Sequence, residues 1–263
     1  MRFLPTGEGF CRASTAVAAF ALLSTSAFAD EAPPGLSCLS RWYAVRAERA
    51  DGGGWMAVLA DGRAFPYDDG KAKTFRQKLD APDLKDMFAV PYRRGPIKPV
   101  EAVDDDPGRV RFEPLFDATY GAAPERIDLV TVELAGQRVP IHRRAAKALE
   151  RASARLRGAL TLDPGLAPYF EKIGGTFVWR KIAGTDRRSP HSWGIAVDIS
   201  VPRSDYWEWA HPREPIRWRN RIPQTIVDAF EAEGFIWAGR WYHYDTMHFE
   251  YRPELLDPAC ISR

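Results

Sequence analysis

With 263 residues and a formal net charge of +2, the chain can bury a full core, and it offers no electrostatic case for nucleic-acid binding. Its nine tryptophans and nine tyrosines carry more information than its charge. Many of them fall in the C-terminal half, around the residues singled out below.

Residues 1–29 read as a secretory signal peptide. Arg2 and Arg12 form a positive start, Thr15 to Leu23 is apolar, and Ala27-Phe28-Ala29 is a small-x-small cleavage site before Asp30. The apolar run is too short for a membrane span, so the expected product is secreted or periplasmic, with no stable span after cleavage. Cleavage leaves Cys38 and Cys260 near the two ends of the mature chain. In an oxidising compartment such a pair suggests a disulfide, with two unrelated thiols as the alternative.

Residues 30–122 read as an N-terminal extension. Trp55 to Leu59 and Ala64 to Tyr67 flank Asp61-Gly62, a hairpin pattern, and Lys71 to Leu79 suggests a short helix. Pro91 to Pro107 is proline-rich and ends in Asp104-Asp105-Asp106, which reads as a solvated surface connection. From residue 123 to 263 the pattern is that of a separate, more regular domain. Asp128 to Leu134 and Arg138 to Ile141 are strand-like around Ala135-Gly136-Gln137, and His142 stands at the start of a helix. Ala145, Leu149, Ala152 and Leu156 recur at helical spacing before Gly158. Thr176 to Arg180 reads as a strand, on which Arg180 either enters a cleft or sits on the surface. A second helix is expected from Pro223 to Glu233, closed by Gly234.

The chemistry concentrates in two short stretches, Ser189-Pro190-His191-Ser192-Trp193-Gly194-Ile195-Ala196-Val197-Asp198 and Asp245-Thr246-Met247-His248-Phe249-Glu250. On a helix, His191 and Asp198 would stand roughly 10 Å apart, too far for two ligands of one metal. On one straight strand they would face opposite sides. The segment must therefore bend, and Gly194 is the natural hinge. After it, Ile195, Val197 and Ile199 should share a core face, with Ala196 and Asp198 on the other. In the second stretch His248 and Glu250 alternate with Met247, Phe249 and Tyr251, and Asp245 lies at the strand's entrance. Two imidazoles, one ligand carboxylate and a spare carboxylate form the minimal set of a metal-dependent hydrolase. Glu250 either orients a ligand from behind or is an exposed strand carboxylate.

Ser189, His191, Gly194, Ala196 and Asp198 match the Ser-x-His-x-x-Gly-x-Ala-x-Asp signature of the D-Ala-D-Ala metallopeptidases, and Asp245-Thr246-Met247-His248 resembles their second signature. That family includes VanY-like carboxypeptidases and L-alanyl-D-glutamate endolysins. The resemblance spans roughly residues 125–256. It implies a compact α+β zinc peptidase domain with a small antiparallel sheet flanked by helices. It further implies Zn2+ held by His191, Asp198 and His248, Asp245 as general base, Arg180 as oxyanion or substrate-carboxylate partner, and Ser189 as a substrate contact. Carboxypeptidase members carry Glu at the Asp245 position, so Asp here looks more like the endolysin-type branch. The expected function is an exported zinc metallopeptidase acting on peptidoglycan stem peptides, as a D-Ala-D-Ala carboxypeptidase or an L-Ala-D-Glu type endopeptidase. The alternative is a non-catalytic, zinc-bearing wall-binding module of the same fold.

Overall fold

The computed structural model describes residues 31–210 and 215–260, and the signal-like segment 1–29 lies outside the described residues. Residues 32–263 form one compact unit. No helix among the described residues is long and apolar enough to cross a membrane. The architecture is α+β, with small antiparallel sheets and five α-helices among the described residues.

The N-terminal stretch opens with α1 (Pro34–Trp42), followed by a sheet of β1 (Val45–Arg49), β2 (Trp55–Leu59) and β3 (Ala64–Pro66) in that order. The expected hairpin at Asp61-Gly62 joins β2 and β3. The short helix α2 (Phe75–Asp80) starts later than the sequence suggests, because Thr74 makes a reciprocal capping box with Gln77. Helix α3 (Glu113–Tyr120) follows the proline-rich connection.

The hairpin β4 (Leu129–Leu134) and β5 (Gln137–His142) turns on Ala135 and Gly136, both at positive φ (46° and 89°), the twist-compatible geometry of a two-residue loop. Helix α4 (Arg143–Leu162) begins on His142, whose Nδ1 accepts from the Arg144 N–H at 3.1 Å. It runs through Gly158 rather than ending there. Gly158 is solvent-exposed, and one such glycine costs a long helix only about 1 kcal/mol. Helix α5 (Gln224–Glu231) is capped by Pro223.

The third sheet carries the two sequence motifs. Its order is β6 (Ala196–Asp198), β8 (His248–Tyr251), β7 (Phe235–Trp237), all antiparallel. Val197 and Trp237 both pair with Phe249 on the face turned to the main core. There Phe249 stacks on Phe230 of α5 with ring centroids 4.1 Å apart. The opposite face sets Asp198 beside His248 and Ala196 beside Glu250.

Ile195 departs from the expected alternation. The strand begins only at Ala196, and Ile195 joins Trp193 in a second core with Leu36, Leu39, Leu115 and Phe116. The N-terminal stretch therefore shares a core with the first motif. The two ends of the described chain are also joined covalently, by the Cys38–Cys260 disulfide with Cα atoms 5.2 Å apart.

Candidate active site

The first motif bends where the sequence requires. Pro190–Trp193 forms a single 3-10 turn closed by Gly194 at φ 63°, a left-handed conformation. A Cβ there would meet Leu129 Cδ2 at 2.8 Å and the His142 backbone nitrogen at 3.2 Å, so both φ and space demand glycine. The turn lifts His191 back over the strand that carries Asp198. A second close approach fixes Asp198 itself. The Gly174 N–H donates to the Asp198 carbonyl at 2.7 Å, and the Asp198 N–H donates to the Gly175 carbonyl at 2.8 Å.

His191, Asp198 and His248 converge, with one donor atom from each within 4.8 Å of the others. His191 Nε2 lies 3.2 Å from His248 Nδ1 and 3.2 Å from Asp198 Oδ1, and Asp198 Oδ1 lies 2.9 Å from His248 Nδ1. The outer ring nitrogens are held as well. His191 Nδ1 meets the Thr176 carbonyl at 3.1 Å, and His248 Nε2 faces Glu250 Oε2 at 3.6 Å. A carbonyl only accepts, so His191 carries its proton on Nδ1 and aims the Nε2 lone pair inward. Imidazoles whose far nitrogens are tied down in this way are characteristic of metal ligands.

The electrostatics agree with the geometry. Burial opposes charge on His248, but the carboxylates of Asp198 and Glu250 override it and push its pKa up to about 10. Burial likewise opposes ionisation of Asp198, and the two imidazoles hold its carboxyl well below the usual range. The cluster thus favours positive charge at its centre, and its N, N, O donor set suits zinc.

Glu250 is fully buried, which decides between the two readings of that residue in favour of one behind the ligands. Arg111 grips it with Nε–Oε1 at 2.8 Å and Nη2–Oε2 at 2.5 Å, and Arg252 Nη1 stands 3.4 Å from Oε1. Burial raises its pKa and Arg111 more than reverses this, leaving Glu250 ionised.

Asp245 lines the same cleft as the three converging residues. Its carbonyl accepts from the His248 N–H at 3.2 Å, a turn that fixes the spacing between them. Its Oδ1 is buried without a hydrogen-bond partner. Burial first, and then the charge of Asp198, push its pKa up to about 7. The cleft has a volume of about 550 Å³, and Arg180, Ser189 and Trp241 also line it. Arg180 is exposed, and its Nη1 donates to the Lys181 carbonyl at 3.3 Å. Ser189 is buried at the start of the 3-10 turn.

Thr176–Arg180 does not form the expected strand. The stretch runs beside the 3-10 turn, whose backbone cannot offer a ladder. Val178 N–H donates to the His191 carbonyl, and Arg180 N–H turns instead to Ser192 Oγ at 2.9 Å. Only isolated bridges remain, at Gly175 and Lys181. Asp106 also departs from expectation, since it is buried rather than solvated. Its Oδ2 accepts from His243 Nδ1 at 2.7 Å and from Arg109 Nη1 at 2.6 Å, and its Oδ1 accepts from the His243 backbone N–H at 3.0 Å. His243, Arg109 and Arg111 all border the cleft. No local sequence pattern marks these three, because each owes its place to a partner far along the chain or to the cleft itself.

The fold is α+β, and the cleft carries a candidate His-Asp-His metal centre. Residues 183–251 match the family model described as D-alanyl-D-alanine carboxypeptidase, bearing out the kinship with the D-Ala-D-Ala metallopeptidases read from the two motifs. The matched stretch contains His191, Asp198, Asp245, His248 and Glu250, and it excludes Arg180 and the whole N-terminal wall of the cleft. No curated protein and no solved structure matches the chain.

Proposed function

We propose that the chain is an exported zinc metallopeptidase that hydrolyses an amide bond in peptidoglycan stem peptides. The observation that carries this reading is one open cleft bordered both by the converging His191, Asp198 and His248 and by Asp245, whose carboxylate Oδ1 is buried without a hydrogen-bond partner. A zinc ion held by the three residues supplies a Lewis acid and makes water acidic enough to attack at neutral pH.

The chain's own groups supply the rest. Asp245, with its pKa near 7, accepts the proton of the attacking water and returns it to the leaving amine. Glu250, locked by Arg111, keeps the His248 ring in place. Arg180 and Ser189 border the cleft where they can hold the peptide and its developing oxyanion. The Cys38–Cys260 disulfide supports export, since such bonds persist in oxidising compartments.

The test is mass spectrometry of muropeptides before and after incubation with the zinc-loaded full chain. Loss of one terminal residue marks a carboxypeptidase, and a divided stem marks an endopeptidase. Unchanged masses with zinc bound would leave the non-catalytic wall-binding module.

A further inference from the structure

Five arginines border the cleft, and four of them are accounted for. Arg76 Nε donates to Asp80 at 2.9 Å, Arg109 to Asp106, Arg111 to Glu250, and the exposed Arg180 to a backbone carbonyl. Arg187 is the exception. Its side chain is only 17% exposed, and its Nε is buried without a hydrogen-bond partner. The one carboxylate in reach among the described residues is Asp80, whose Oδ1 lies 4.0 Å away, beyond hydrogen-bond distance, and whose Oδ2 is engaged by Arg76.

Burial and the like charges of Arg109 and Arg111 pull its pKa down to about 10. Folding therefore holds a cation where lost hydration and the neighbouring arginines both disfavour it. Its backbone is pinned, with the Arg187 carbonyl accepting from Ile182 at 2.8 Å and its N–H donating to Thr185 Oγ1 at 3.2 Å. A guanidinium whose Nε is buried without an acceptor costs stability, and such a cost is commonly kept for function.

We propose that Arg187 is a carboxylate-binding subsite of the cleft, and that a free carboxylate of the substrate peptide completes its hydrogen bonding. The guanidinium fork matches a carboxylate in a two-point contact that an amide cannot reproduce. This inference rests on the peptidase reading given above. A stem peptide offers two sources of the same group, its C-terminus and the carboxyl of its glutamate.

Three synthetic peptides separate these sources: a stem peptide ending in D-Ala-D-Ala, its C-terminal carboxamide, and the same peptide with the glutamate carboxyl amidated. With the zinc-loaded full chain, one of the two amides should lose about 10- to 100-fold in kcat/KM, mainly through KM, as expected for a charge-assisted pair. Which amide suffers identifies the carboxylate. Arg187→Gln should bring the free acid down to the level of that amide and leave the amide itself unchanged, with Arg187→Lys in between. The Tm of Arg187→Gln should equal or exceed that of the wild type, because a cation short of hydrogen-bond acceptors is removed. An equal loss on all three peptides, undiminished discrimination, or a lowered Tm would overturn the subsite. If the wild type cleaves none of the peptides, the peptidase reading fails and calorimetric binding of the three peptides decides the subsite by itself. An acid preference abolished by Arg187→Gln keeps it, and equal affinities reject it.

Discussion

His191 Nε2 and His248 Nδ1 approach to 3.2 Å across the site, with Asp198 Oδ1 lying against both rings. Three donors crowd one point, and a single cation resolves that crowding. The wild-type chain is therefore expected to bind one zinc. His191→Ala, Asp198→Ala and His248→Ala should each lose most of the metal and all of the activity. Metal analysis of the purified variants checks this, and full occupancy in any of them would remove that residue from the ligand set.

Asp245→Asn separates chemistry from binding. The amide keeps the shape of the carboxylate but cannot take a proton from water. Turnover should fall about a hundredfold or more while zinc content stays near one. Since Asp245 Oδ1 is buried without a partner, the exchange should not lower the Tm. Normal turnover in the zinc-loaded variant would shift the base to another residue.

Glu250→Gln tests the support behind His248. It removes the charge that neutralises Arg111 and, in part, the fully buried Arg252. Breaking a buried pair from one side costs about 3–5 kcal/mol, which denaturant unfolding will show. Zinc affinity should also weaken, by about 10- to 100-fold, because the His248 ring loses its orienting partner.

The disulfide closes a loop between residues 222 positions apart, so its loss frees nearly the whole described chain. A chain-entropy estimate assigns it up to about 5 kcal/mol. Cys38→Ser should lower the Tm strongly while leaving zinc stoichiometry at low temperature unchanged.

His142 gives a pH dependence with a definite sign. Burial pulls its pKa down to about 4, so the folded chain keeps it neutral while the unfolded chain titrates near the ordinary value of 6.5. Its contribution is complete above about pH 6.5 and is lost as the pH falls toward 4. His142→Asn, which retains a helix-capping side chain, should flatten the Tm-against-pH curve in that window. An unchanged slope would place the dependence elsewhere.

Much of this site was readable because its determinants are local. The turn at Gly194, the strand after it and the three-residue step from Asp245 to His248 follow from glycine's permissiveness and the alternation of a strand. The hairpin at Ala135-Gly136 and the helix after His142 were legible on similar grounds, whereas the pairing of Cys38 with Cys260 was suggested by the cysteine count and an oxidising compartment. What could not be read depends on partners far away in the chain. Arg111 and Glu250 are 139 positions apart, and so are the positions that make Asp106 a buried partner of His243 nearly as far from each other, at 137. Thr176–Arg180 has a strand's alternation, and only the neighbouring 3-10 turn denies it a ladder. Nothing in its own residues reports that neighbour.

The long reach of the Arg111–Glu250 pair also sets an order of events during synthesis. A chain emerging from its N-terminus presents Arg111 long before the Glu250 carboxylate that neutralises it, and β8, which carries His248 and Glu250, is the last strand to appear among the described residues. A translation product that stops before β8 lacks both His248 and Glu250, and so cannot complete the cleft.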